Sequence, residues 1–142
     1  MRIAIGTDHR GFAHKEFIKQ NLPEITWSDV GCFSAERCDY PPFAKKVVEL
    51  LQQRKVDVGI LLCGSGIGMV IAANRFEGMR AGVVWNQEIA MMAKADDNVN
   101  ILVLPADFVT QEDAVKCIKS WLQAKFKGGR YEERLAMIEK FV

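Results

Sequence analysis

No stretch of the 142 residues approaches the roughly 20 consecutive apolar positions that a bilayer-spanning helix requires, so no membrane span is expected. The opening Met1-Arg2-Ile3-Ala4-Ile5-Gly6 lacks the charged region, apolar stretch and cleavage site of a signal peptide. A cytoplasmic location is therefore expected. Strong charge of either sign is also missing. The formal net charge is +1, which argues against a broad footprint for nucleic acid or an anionic membrane and leaves room for a local basic pocket. Cysteine is sparse, at positions 32, 38, 63 and 117, and no pair has Cys-x-x-Cys spacing. The absence of that spacing argues against a zinc site or a thioredoxin-type motif. Free thiols are expected, with Cys117 a packing residue in a helix and a Cys32–Cys38 disulfide disfavoured. No repeat, low-complexity stretch or interdomain linker interrupts residues 1–142, which are expected to form one domain. A composition of 49% hydrophobic and 26% charged residues suffices for a sizeable core.

What is present is alternation. Strands are expected near Arg2–Gly6, Ile25–Val30, Val58–Leu62, Ala81–Val84 and Ile101–Leu104. Gly59-Ile60-Leu61-Leu62, Ala81-Gly82-Val83-Val84 and Ile101-Leu102-Val103-Leu104 are continuous apolar runs, suited to strands buried on both faces of a parallel sheet. Helical patterns fill the intervals at Phe12–Leu22, Pro42–Gln53, Ile67–Phe76, Glu88–Lys94 and Gln111–Phe126. Phe43, Val47, Leu50 and Leu51 recur at helical spacing, and Thr110-x-x-Asp113 offers a start for the fifth helix. The expected fold is a single doubly wound α/β domain. Gly128-Gly129 then breaks the chain before a last helix near Tyr131–Phe141, whose Leu135, Ile138, Phe141 and Val142 form an apolar stripe. That helix either docks on a neighbouring subunit or folds back on its own domain.

Ligands in open α/β sheets bind beyond the carboxyl ends of the strands. Three such loops carry polar or glycine-rich sequence: Thr7-Asp8-His9-Arg10-Gly11, Cys63-Gly64-Ser65-Gly66-Ile67-Gly68 and Asp96-Asp97-Asn98. The glycine loop leads from a buried strand into a helix, where backbone N–H groups can face an anion. Cys63 stands at the strand end, where a helix N-terminus favours a thiolate over the ordinary thiol. Simple packing also accounts for a strand-end cysteine and for a glycine turn. Nucleotide motifs do not fit. Met69 follows Gly68 where a P-loop has lysine, and Trp85 ends the next strand where a dinucleotide fold places an acid. Asp8 and His9 follow the first strand, while His14 lies within a helix and carries no expected role. Arg130 and Arg134, four apart, share a helix face and can form a phosphate clamp or pair with Glu132 and Glu133.

Taken together these segments resemble the ribose-5-phosphate isomerase type B family, which includes the galactose-6-phosphate isomerase subunits. The resemblance runs the whole chain. It is carried by Ile3–Phe12, Asp39-Tyr40-Pro41, Gly59–Met69, Ile71-Ala72-Ala73-Asn74-Arg75 and Gly128-Gly129-Arg130. It implies a flavodoxin-like or Rossmann-like domain with a five-stranded parallel sheet. It also implies a homodimer or homotetramer with active sites between subunits, and aldose–ketose interconversion of a phosphorylated sugar through an enediolate. No metal or organic cofactor is implied. By the same resemblance Cys63 is the base that moves a proton between C1 and C2, and Gly64, Ser65, Gly66, Ile67 and Gly68 form the anion hole. Asp8 and His9 contact the sugar, and Arg130 and Arg134 hold the phosphate.

The chain departs from the family pattern at several positions. Asp96 and Asp97 stand where most members have His-Asn, the His helping to open the furanose ring. Asp107 stands where a phosphate-binding Arg is common, and Tyr131 where His is common. A pocket that loses one cation and gains carboxylates is expected to bind a phosphate dianion less well. Ribose 5-phosphate is the leading substrate. A tetrose, hexose or linear sugar phosphate is the second reading, and a non-catalytic sugar-phosphate-binding subunit the third.

Overall fold

The computed structural model describes residues 1–141. Five parallel strands form one sheet: β1 (Arg2–Thr7), β2 (Thr26–Gly31), β3 (Val58–Cys63), β4 (Ala81–Val83) and β5 (Ile101–Pro105), in the order β2-β1-β3-β5-β4. They alternate with α1 (Phe12–Asn21), α2 (Pro41–Gln52), α3 (Ile67–Ala73), α4 (Gln87–Ala95) and α5 (Gln111–Gln123), and α6 (Arg130–Glu139) follows. This is the expected doubly wound arrangement.

The period of two along each strand sorts the core into two layers. Ile3, Ile5, Ile60, Leu62, Leu102 and Leu104 point to one face, where α1, α4 and α5 cover them with Ile18, Ala90, Cys117, Ile118 and Trp121, helped by Leu22 just after α1. Ala4, Leu61, Cys63, Ile101 and Val103 point to the other, under Ala44, Val47 and Val48 of α2 and Met69 and Ala73 of α3. Each fully buried Ile or Leu contributes about 1.5–3 kcal/mol. Burial on both sides explains why these strands read as unbroken apolar runs. Cys117 is fully buried, as expected, and its burial pushes the thiol up to about 11.

The run Ala81–Val84 does not form a doubly buried strand. β5 lies between β3 and β4, so β4 is an edge strand of three half-buried residues. A strand this short makes few ladder bonds, and short strands belong at sheet edges. The fifth helix starts as expected, with Thr110 Oγ1 accepting from Asp113 N at 3.0 Å, but it ends at Gln123 rather than Phe126. Lys127 N then donates to Ala95 O at 2.9 Å, and Gly128 and Gly129 turn the chain with φ of 68° and 57°, a region where a side chain is strained. No residue of α6 is buried.

One core feature escaped the apolar patterns. Lys15 of α1 is fully buried, with Nζ 2.8 and 2.7 Å from the two Asp29 carboxylate oxygens and 4.8 Å from the Phe33 ring centre. Lys19 Nζ, at 2.6 Å, and Gly31 N, at 2.9 Å, complete the carboxylate's partners. Burial raises the Asp29 carboxyl, but the hydrogen bonds from Lys15 and Lys19 outweigh it and hold the group below 3.8. Lys15→Met leaves a largely buried carboxylate short of its main partner and is expected to cost about 3 kcal/mol in urea denaturation. A depressed carboxyl stabilises the fold above the ordinary carboxylate range and loses that contribution as pH falls through its lower folded value. Wild-type stability should therefore drop below about pH 4, and Asp29→Asn should remove that part of the drop.

Candidate active site

The site assembles where β1, β3 and β5 end. β3 delivers Cys63, 5% exposed, and its Sγ accepts a hydrogen bond from Gly66 N at 3.2 Å. Gly66 turns into α3 at φ 79°, where a Cβ would lie 2.8 Å from Val83 Cγ2. Glycine is required there on both counts. A Cβ at Gly68 would meet the Tyr40 hydroxyl at 2.8 Å, so the tyrosine just before α2 lies against the same loop. Ser65 is exposed, and its Oγ accepts from Ile67 N at 3.2 Å. Two amides of the expected anion hole, those of Gly66 and Ile67, are thus already engaged within the loop. A neighbouring cavity of about 360 Å³ is walled by Ser65, Ile67, Val83, Trp85, Pro105 and Phe108.

At the end of β1, Asp8 is nearly buried. Its Oδ1 accepts from Arg10 N at 2.9 Å and so fixes the turn His9–Gly11. His9 Nδ1 lies between the carbonyl oxygen and the amide of Cys38, at 3.2 and 3.3 Å, which leaves Nε2 uncommitted among the described residues. Cys38 and Cys32 are free thiols, and burial raises the Cys32 thiol. His14, without an expected role, binds the Val109 carbonyl through Nε2 at 2.8 Å.

Arg10 is the residue that sequence reasoning passed over. Its guanidinium lies directly on Gly64, where a Cβ would come within 2.6 Å of Nε and 2.7 Å of Nη1. It pairs with the Asp107 carboxylate. Asp107 is itself tied to the glycine loop, since its N donates to Gly64 O at 3.0 Å and Ala106 N donates to Cys63 O at 2.9 Å. A cation directly after Asp8-His9 at a strand's carboxyl end was the available signal.

Arg130 and Arg134 share a face of α6, as expected, and both flank the Tyr131 ring, 5.3 and 5.4 Å from its centre. Lys127 Nζ stands 5.0 Å from the same centre, a third cation missed from sequence. A hydrogen bond from Arg130 and the charge of Lys127 pull the Tyr131 hydroxyl down. No ion pair or hydrogen bond among the described residues joins Arg130 or Arg134 to the Cys63 loop of the same chain. Nor is any cluster of three or more His, Cys, Asp or Glu side chains arranged to hold a metal ion among those residues.

The family model described as Ribose/Galactose Isomerase matches residues 3–138. The chain belongs to this family. A ribose 5-phosphate isomerase from Thermotoga maritima shares the fold with a TM-score of 0.95 at 42% identity, over 98% of this chain and 97% of that one. Ribose-5-phosphate isomerase B from Mycoplasma genitalium, solved with bound ribulose-5-phosphate, gives 0.92 at 34% identity, over 99% and 95% of the two chains. Ribose-5-phosphate isomerase B of Escherichia coli (strain K12) is 38% identical over 139 residues, 96% of this chain and 93% of that protein.

Within this family the aspartates of the present chain looked unfavourable for a phosphate, and the structure corrects the charge count. Asp107 is neutralised by Arg10. Asp96 Oδ1, buried and without a well-aligned hydrogen bond, has Lys127 Nζ at 2.8 Å. Of these three aspartates Asp97 is the one that is exposed and has no ion pair among the described residues. Each paired carboxylate arrives with its own cation, so the local field is close to neutral rather than repulsive.

Proposed function

We propose that this protein is an aldose–ketose isomerase that interconverts ribose 5-phosphate and ribulose 5-phosphate through an enediolate, with Cys63 as the base. The thiolate takes the proton from C2 of the open-chain aldose. The electron pair moves toward the C1 carbonyl, whose oxygen becomes an enediolate oxygen. The same proton returns at C1 while the hydroxyl proton of the C2 oxygen passes to the C1 oxygen, which leaves a hydroxyl at C1 and the carbonyl at C2. No electron acceptor, metal or organic cofactor enters this balance. The reaction needs a base next to fixed donors where negative charge develops. The observation that carries the reading is the Cys63 Sγ at 3.2 Å from Gly66 N, at the mouth of the Gly64–Gly68 loop, in a chain of this family. The Ser65 hydroxyl and those loop amides not engaged within the loop, which excludes Gly66 and Ile67, are the donors for the enediolate. Relatives named as ribose-5-phosphate isomerases, one of them solved with ribulose-5-phosphate, support the choice of pentose.

Arg130 and Arg134 serve the phosphate of a site in a second copy of the chain, and Asp8 and His9 serve the sugar. The support is twofold. Among the described residues neither arginine is joined by an ion pair or hydrogen bond to its own Cys63 loop, and α6 exposes Met137 and Ile138 with Phe141 beyond it, an apolar edge that no described residue covers. The active form is a homodimer or a homotetramer built from it.

The test is incubation of purified protein with ribose 5-phosphate, a tetrose phosphate, a hexose phosphate and a linear aldose phosphate, with ketose formation followed directly. Ribulose 5-phosphate formation fastest from ribose 5-phosphate is expected. Faster turnover of another aldose would move the substrate, and no turnover of any, with binding retained, would make the chain a sugar-phosphate-binding subunit.

A further inference from the structure

We propose that Arg10 binds the phosphate of the substrate, so that the subunit carrying Cys63 supplies its own guanidinium to the anion. The inference rests on the isomerase reading above only in calling that anion a sugar phosphate. Arg10 is a cationic side chain in contact with the Cys63 loop. Its guanidinium covers Gly64, and Gly64 has no positive φ to require a glycine. The missing side chain at 64 is explained by space: any Cβ would displace the guanidinium.

A surface ion pair alone would add little to stability. This one is built differently. Asp107 is held to the Gly64 carbonyl by its own amide, at 3.0 Å, and in turn holds Nη2 of Arg10. The backbone amide of Arg10 is fixed by Asp8 at 2.9 Å. The loops after β1, β3 and β5 therefore converge on one guanidinium. Asp107 engages one of its nitrogens, while the side chain stays 55% exposed at the mouth of the site. A guanidinium carries five N–H donors in a planar fork that suits a phosphate. With its position already set, less freedom is lost when the anion arrives. Tyr40 lies against Gly68 of the same loop, and His9, whose Nε2 is uncommitted among the described residues, directly precedes Arg10 in the chain.

The experiment compares the wild-type protein with Arg10→Gln and Arg10→Lys. Steady-state kinetics on ribose 5-phosphate are paired with calorimetric titration of inorganic phosphate, and thermal midpoints check folding. In Arg10→Gln both KM and the phosphate dissociation constant should rise roughly ten- to hundredfold, with kcat within about threefold. Arg10→Lys should recover part of the binding. Unchanged KM and phosphate affinity would overturn the proposal. So would a loss confined to kcat, which would assign the guanidinium to the enediolate. If the wild type isomerises nothing, the isomerase reading fails, and the phosphate titration still decides Arg10. Wild-type protein that binds no phosphate at millimolar concentration counts against it.

Discussion

Cys63→Ala should reduce kcat on ribose 5-phosphate by about 10²- to 10⁴-fold, the range that a positioned general base supplies. KM should stay within a few-fold of wild type, because the thiol acts on the reacting carbons and not on the phosphate. The fold should survive. Cys63 is small and lies where β3 meets its loop, with the Ala106 N–H bonded to its backbone carbonyl and not to its side chain. Alanine leaves that ladder bond in place and frees only the Gly66 amide. Circular dichroism and steady-state kinetics on the same preparation measure both halves of the expectation. Near-wild-type turnover would remove Cys63 from the mechanism and return it to packing.

The second large effect concerns the shared site. Arg130→Ala with Arg134→Ala removes two charge-assisted contacts to phosphate, which should lower kcat/KM by about 10²- to 10⁴-fold. The informative experiment mixes this variant with Cys63→Ala by co-expression. If Cys63 of one subunit works with Arg130 and Arg134 of another, a mixed dimer holds one intact site and one doubly impaired site. Random assembly makes half the dimers mixed, so activity should recover to about a quarter of wild type. A site contained in one chain would show no recovery at all. Sedimentation of the wild type as a stable monomer at micromolar concentration would speak against the arrangement in the same way.

The fate of the expectations follows their physical range. Alternating strands and helices were legible because each depends on a window of a few residues, and β3 and β5 are the doubly buried strands that their apolar runs announced. The position of β4 was not legible. Ala81–Val83 is as apolar as the central strands, and its place at the edge depends on β5 pairing with β3 along Gly59–Cys63, a choice between distant segments. In the site, Cys63 and its glycine loop stood out because one short stretch holds both the nucleophilic atom and the turn. Arg10 did not, since its meaning comes from Gly64 and Asp107 on two other loops. The pairing of Asp107 and Asp96 was hidden for the same reason: their charge can be counted in the sequence, but their partners Arg10 and Lys127 cannot.

By itself, then, the sequence determined the element order, the two-faced core and the chemistry-bearing loop at the end of β3, because backbone preference and hydrophobic period are local properties. Tertiary structure alone decided the strand order, the burial of Lys15 against Asp29, and the convergence of Arg10, Gly64 and Asp107. Charged side chains look alike in a sequence whether solvated or paired, and only the approach of remote segments, with the desolvation it imposes, tells them apart.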